Sequence, residues 1–308
     1  MMKDNIFNIE KLTTEQQNPN SMQIDEVPTL EMVSIINKED QKVAFAVEEE
    51  LPLISKAIDE ISKKFADGAR LIYCGAGTSG RLGALDAVEL EPTYSVPSTR
   101  AFALLAGGKQ AMFEAIEGAE DSKELAITAL KNVNLTSKDV IIAIAASGKT
   151  PYGISAIEYG NKIGALTISI TCNKNSEMDR LAAIGIAPMV GPEVITGSTR
   201  MKSGTAQKMV LNMISTGVMI KCGKVYHNLM TSVQPTNEKL NIRAKNIIVK
   251  AANVSEKIAH AAFEQADKDV SVAIVMIKTK SNAAVARKLL NETNGHIKAA
   301  IQKGYNNK

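Results

Sequence analysis

Leu71-Ile72-Tyr73-Cys74-Gly75-Ala76-Gly77-Thr78-Ser79-Gly80 decides the fold. A short, largely apolar run enters a loop of glycine, threonine and serine, and a helix-like run near 79–90 follows. That order is the start of a βα unit. The pattern recurs twice. Val140-Ile141-Ile142-Ala143-Ile144-Ala145 leads into Ser147-Gly148-Lys149-Thr150. Thr196-Gly197-Ser198-Thr199 precedes a helical run near 199–222. Backbone N–H groups and hydroxyls of such loops, set at the positive end of a helix, suit an anion. Three such loops at strand ends point to a phosphorylated small molecule held at one edge of a parallel sheet.

Around these loops, strand-like runs near 70–74, 101–106, 139–145, 165–171 and 184–190 alternate with helical runs near 79–90, 109–118, 122–131, 152–163 and 176–182. Strands that are apolar throughout and separated by helices predict a parallel sheet covered on both faces. Its ligands bind beyond the carboxyl ends of the strands, where all three loops would lie. Upstream, residues 1 to about 28 are polar and turn-rich and read as an extended arm. From Thr29, apolar residues recur at helical spacing through Ile61, and Lys63, Lys64, Asp67 and Gly68 resemble a helix end. From about Asn237 helical runs follow one another near 238–253, 255–265, 270–278 and 282–301, with Thr279 to Asn282 as a turn and N-cap. The expected division is an N-terminal arm and helix over 1–50, an α/β sugar-phosphate domain over 51–236 and a helical module over 237–308.

Composition excludes several classes. Hydrophobic residues make up 45% of 308 residues, enough for a sizeable core, and the lack of tryptophan makes that core aliphatic and Met-rich. The net charge is only +3, and no Lys/Arg run exceeds two residues, so nucleic acid is not an expected partner. The N-terminal ten residues lack the apolar stretch of a signal peptide, and no run of about 18 apolar residues predicts a membrane span. Cys74, Cys172 and Cys222 are far apart and odd in number, which fits reduced thiols in a cytoplasmic protein. His227, His260 and His296 show no metal-ligand spacing, so no metal is expected.

Gly75 to Gly80 matches the dinucleotide fingerprint G-x-G-x-x-G, but the second strand, Phe102 to Ala106, ends in Gly107-Gly108-Lys109 without the acid that would hold a ribose. Gly148-Lys149-Thr150 resembles the end of a phosphate-binding P-loop, yet Ala143 stands where the pattern needs glycine, and Pro151 follows at once. An ordinary strand-to-helix turn with proline in the first helical turn is the alternative. We favour Thr78, Ser79, Ser147 and Thr150 as hydroxyls for a phosphate or sugar, with backbone from Gly77 and Gly148. Ser198 and Thr199 do the same in the third loop. Arg200 is a candidate clamp for a carboxylate or phosphate; with Lys202 and Lys208 it could also be a solvated charge on a helix face. With no histidine or metal set available, acid–base chemistry falls to carboxylates, a hydroxyl or a lysine. Two clusters offer carboxylates: Glu89 with Glu91, and Glu117 with Glu120 and Asp121.

At these residues the chain resembles the N-acetylmuramic acid 6-phosphate etherases, of the sugar isomerase (SIS) fold superfamily. The matching stretches are Leu12 to Gln16 with Asn18 to Ser21, Gly75 to Gly83, Glu117 to Asp121, Ala146 to Tyr152, and the long run Gly191 to Lys208. More distantly, the same core resembles the glucokinase regulatory protein, a sensor without catalysis. The resemblance implies a three-layer α/β fold and cleavage of a D-lactyl ether to N-acetylglucosamine 6-phosphate and D-lactate. It also implies a homodimer with no metal or organic cofactor. By the family's pattern Glu89 matches the proton donor and Glu120 the second acid–base residue, with Glu91, two residues on, and Glu117, one helical turn before Glu120, as rivals. An aldose–ketose phosphosugar isomerase and a phosphosugar-responsive regulator are the alternatives. Geometry sets a condition. An unbroken helix from Thr78 places Glu89 about 16 Å from its first turn, at ~1.5 Å per residue. Either the helix breaks near Gly83, or Glu89 serves the site of the other subunit; the dimeric family favours the second.

Overall fold

The computed structural model describes residues 12–233 and 238–306. Three helices come first: α1 (Thr29–Asp40), α2 (Lys42–Glu48) and α3 (Leu51–Ala66). The α/β core follows as β1 (Leu71–Gly75), α4 (Gly77–Tyr94), β2 (Ala101–Leu105), α5 (Lys123–Asn132), β3 (Val140–Ile144), α6 (Pro151–Ile163), β4 (Leu166–Ile170), α7 (Glu177–Leu181), β5 (Ile184–Ile186) and α8 (Lys202–Lys221). A hairpin, β6 (Val225–Tyr226) with β7 (Leu229–Met230), precedes α9 (Glu238–Ala252), α10 (Glu256–Gln265), α11 (Val270–Thr279), α12 (Ala283–Asn291) and α13 (Ile297–Asn306).

The five core strands form one parallel sheet in the order β2-β1-β3-β4-β5. Gly75 stands level with Leu105 on one side and Ile144 on the other, so the β1 and β3 loops leave the sheet side by side. Alternation along the strands divides the core. Leu71, Tyr73, Val140, Ile142 and Ile144 face α2, α3, α4 and α8. Ile72, Cys74 and Ile141 face α5 and α6, while Ala143 meets Ile154 and Ile157 of α6 and Met178 of α7. This is the expected three-layer architecture. The two glycines that bound the fingerprint serve packing. A Cβ on Gly80 would lie 2.2 Å from Leu105 Cδ1 and 2.5 Å from the Gly75 carbonyl oxygen, so α4 can cross the end of β1 closely only with glycine there.

One open reading is decided and three expectations change. First, of the two readings left open, the structure excludes a break in α4 at Gly83; a Cβ there would sit 3.0 Å from Ile144 Cδ1 and Tyr73 Cβ, so that glycine lets α4 lie on the sheet. Second, residues 109–118 form one 3₁₀ turn, Lys109–Met112, and then irregular chain. Gly107, Gly108 and Gly118 bracket this stretch with positive φ, and Met112, Phe113 and Ile116 are exposed, so no apolar face holds a helix together. Arg81 pins it instead, donating to the carbonyls of Ala111, Met112 and Glu114. Third, α8 begins at Lys202 and not at 199. Fourth, the run at 282–301 is two helices, parted at Asn294 and Gly295, both at positive φ. Asn282 does cap α12, accepting from the Val285 N–H.

Helices α9 to α13 share an apolar core that Tyr226, Leu229, Met230 and Val233 also join, so the hairpin packs with the helices that follow it. No helix of the described residues is long and apolar enough to cross a membrane.

Candidate active site

Two helix N-termini open at the carboxyl edge of the sheet. Chain leaving β1 turns at Ala76 directly into α4, whose N-terminus has no side-chain cap. The first N–H groups of a helix have no partner within it, so those at Gly77, Thr78 and Ser79 face outward with the positive end of the dipole. Chain leaving β3 turns at Gly148, φ +67, and enters α6 at Pro151, again without a side-chain cap. Ser147 Oγ accepts from the Lys149 N–H at 3.2 Å, which holds that hydroxyl on the loop. Gly148 must be glycine, because a Cβ would meet Ser176 Oγ at 2.1 Å.

The third loop differs in kind. The buried carboxylate of Glu193 accepts from the Lys202 and Ser203 N–H groups, each at 2.9 Å, and so caps α8 from within the protein. That helix end is already neutralised, which leaves hydroxyls as the third loop's means of contact: Ser198 and Thr199, both half-buried. Arg200 is exposed and makes no ion pair among the described residues. Lys202 is not a solvated charge. It is buried, with Nζ 2.7 Å from Glu39 Oε2. Burial pushes Glu39 up, but hydrogen bonds from Lys202, Lys42 and Asn20 outweigh it and bring its pKa to about 2. Lys208 is tied to Asp86 at 3.5 Å, within a buried group that includes the Tyr73 and Ser215 hydroxyls. Burial pushes Asp86 up, against the hydrogen bonds that favour its charged form.

The first loop lies beside the start of α8, into which the third loop leads. A Cβ on Gly204 would lie 3.6 Å from both Thr78 Cγ2 and the Thr199 carbonyl oxygen, and Ser79 Oγ is 2.9 Å from Gln207 Oε1. Glu120 joins the first loop to the second. It lines a cavity of about 230 Å³ with Ala76, Gly77, Arg81 and Glu117, and another of about 280 Å³ with Glu15, Ser147, Lys149 and Thr150. Glu117 lines only the former. Glu89 and Glu91 are exposed in the fourth turn of the unbroken α4 and line neither cavity.

Sequence reasoning missed Glu15, Glu39 and Glu193. The N-terminal arm is stitched over the third loop. Asn173 Oδ1 accepts from the Thr13 N–H and hydroxyl, Asn18 Nδ2 donates to the Pro192 carbonyl, and Ser21 Oγ donates to the Val194 carbonyl. This brings Glu15 into the cavity with Glu120, its Oε2 3.2 Å from where a Gly197 Cβ would stand. The signal was the polar cluster Thr13 to Ser21, read as arm and not as lining.

Known proteins are similar to this chain along its sequence. The family model for the glucokinase regulatory protein N-terminal SIS domain matches residues 53–161, and the SIS domain model matches residues 119–216. N-acetylmuramic acid 6-phosphate etherase 1 of Enterococcus faecalis is 62% identical over 295 residues, covering 96% of this chain and 98% of its own length. The N-acetylmuramic acid 6-phosphate etherase of Clostridium beijerinckii is 56% identical over 296 residues, 96% of this chain and 97% of its own. That of Lactobacillus johnsonii is 56% identical over 295 residues, 96% and 99%. With such identity along nearly the whole chain, and the SIS core beneath it, this chain belongs to the N-acetylmuramic acid 6-phosphate etherase family.

Proposed function

We propose that this protein cleaves the D-lactyl ether of N-acetylmuramic acid 6-phosphate, giving N-acetylglucosamine 6-phosphate and D-lactate in cell-wall sugar recycling. The observation that carries this is the 62% identity over 96% of the chain to a protein named for that reaction. The substrate's phosphate sits against the open N-termini of α4 and α6, with Thr78, Ser79, Ser147, Thr150, Ser198 and Thr199 supplying hydroxyls and Arg200 a charge. The sugar reacts as its open-chain aldehyde, which makes the C2 proton acidic. A base removes that proton, the C3–O bond breaks, and an acid protonates the departing lactate oxygen. Water then adds at C3 of the unsaturated aldehyde and C2 regains a proton, so no metal or organic cofactor is consumed or required. Carboxylates can serve both steps.

Glu120 is the acid–base residue of choice over Glu117, because it faces the cavities beside both open helix ends. Glu89 is the proton donor to lactate, reaching the site of a second subunit. Two features support that placement. Its helix runs unbroken, far from its own first turn. On the same face, Leu85 and Val88 are 42% and 68% exposed, an apolar surface suited to a second copy of the chain. The test is D-lactate release from N-acetylmuramic acid 6-phosphate by the purified protein with chelator present. Release supports the reading; intact substrate bound without turnover would leave a regulator of the kind whose N-terminal domain matches residues 53–161.

A further inference from the structure

Gln207 lies in the long Gly191–Lys208 motif and has no part in the reaction proposed above. It lies in the second turn of α8, fully buried, one turn beyond Gly204, where an added Cβ would stand 3.6 Å from Thr78 Cγ2. Its Oε1 is 2.9 Å from Ser79 Oγ in the first turn of α4. Its Nε2 is buried and has no partner among the described residues. A primary amide offers two donors at nitrogen and an acceptor at oxygen. A buried N–H without an acceptor is rarer and more costly than an under-used carbonyl. In the arrangement with Oε1 against Ser79, the serine commits its single proton to Gln207 and presents only lone pairs to a ligand. A half-turn of the amide exchanges its two ends at the same place. Nε2 then donates to Ser79 Oγ, the unpartnered atom becomes a carbonyl oxygen, and the Ser79 O–H is free to point toward the α4 N-terminus. An anion at that helix end can accept a hydrogen bond and cannot donate one. Internal hydrogen bonding and ligand chemistry therefore favour the same turn.

We infer that Gln207 is a positioning residue: with phosphosugar bound, its amide donates to Ser79 and turns the serine hydroxyl outward as a donor to the phosphate. This rests on the phosphosugar reading of the site. The experiment is a double-mutant cycle with Ser79→Ala, Gln207→Met and both together, read as Kd for N-acetylglucosamine 6-phosphate by calorimetry. Each single change should weaken binding about tenfold, as for loss of one hydrogen bond to a charged group. The double variant should bind no more weakly than Ser79→Ala, because the amide acts through the hydroxyl. Losses that multiply, to about a hundredfold, would make Gln207 a packing residue and overturn the inference. Gln207→Glu gives a second reading, since a carboxylate can only accept and would hold the Ser79 proton inward. It should bind at least as poorly as Gln207→Met; wild-type binding by Gln207→Glu also overturns the inference. Should Gln207→Met fail to fold, the cycle is run with Gln207→Leu, which also removes the amide and adds no charge. Wild-type lactate release judges the phosphosugar reading separately. A protein that turns over while its cycle multiplies keeps the reading and loses the inference; one that binds no phosphosugar loses both.

Discussion

Replacing Lys202 by Met should cost the fold about 2 kcal/mol at neutral pH and loosen the third loop, because it strips the innermost partner from a buried carboxylate. Lys202 and Glu39 are 1% and 3% exposed, with 2.7 Å between Nζ and Oε2. Glu39 Oε1 also receives Lys42 at 2.5 Å and Asn20 at 2.9 Å. Together these bring a carboxyl that burial alone would push up down from an ordinary 4.5 to about 2. At ~1.4 kcal/mol per pH unit, that interval corresponds to about 3 kcal/mol for the whole cluster. Lys42 is half-exposed and screened by water, so its share is discounted. The variant keeps Lys42 and Asn20, which holds the loss below the 3–5 kcal/mol typical of a buried charge left alone. The sign follows from the lowered folded-state pKa. This stabilisation is complete above about pH 4.5 and is lost as pH falls through about 2. Urea unfolding of wild type and variant at neutral pH and again near pH 3 measures it. The difference should be about 2 kcal/mol in the first case and smaller in the second. A difference under about 0.5 kcal/mol at neutral pH, or one that grows on acidification, would refute the reasoning.

Gly80→Ala should destabilise by about 3 kcal/mol or prevent folding, since its Cβ would meet Leu105 and the Gly75 carbonyl; an unchanged Tm would show that α4 can shift away from β1. Glu120→Gln should lower kcat by roughly 10²–10⁴-fold. Glu117→Gln should leave it within about threefold, and reversed effects in the lactate assay would move the assignment to Glu117. Mixing Glu89→Ala with Glu120→Ala subunits should restore about a quarter of wild-type activity, because half the dimers would each carry one intact shared site. Absence of any regain after proven subunit exchange counts against Glu89 acting across the interface.

The sheet was legible because β1 and β3 are short apolar runs, each followed by a loop of glycine and hydroxyl residues, whereas β5 is only Ile184–Ile186 where a strand over 184–190 was expected. β1 and β3, buried at every position, carried that signal most clearly. The 109–118 stretch misled because Met112, Phe113 and Ile116 supply apolar residues at near-helical spacing, while the flanking glycines impose a left-handed backbone that no periodicity count registers. Contacts over long sequence separations were illegible. Nothing local to Glu193 says that it caps α8, and nothing local to Lys202 says that Glu39, from a helix far upstream, will neutralise it. The same holds for Glu15, which reaches the site only because the arm folds back over the third loop. That the first two loops leave the ends of strands and enter helices was readable from residue type. The difference between two open helix ends and one already capped needed coordinates.

The central claim, elimination followed by hydration, is tested most directly by running the reaction in water enriched in heavy oxygen, with chelator present. The account predicts one heavy oxygen at C3 of N-acetylglucosamine 6-phosphate and none incorporated into D-lactate, because the C3–O bond breaks and solvent replaces it. Label in the lactate hydroxyl, with the sugar unlabelled, would mean that the bond on the lactyl side is cut, and would contradict it.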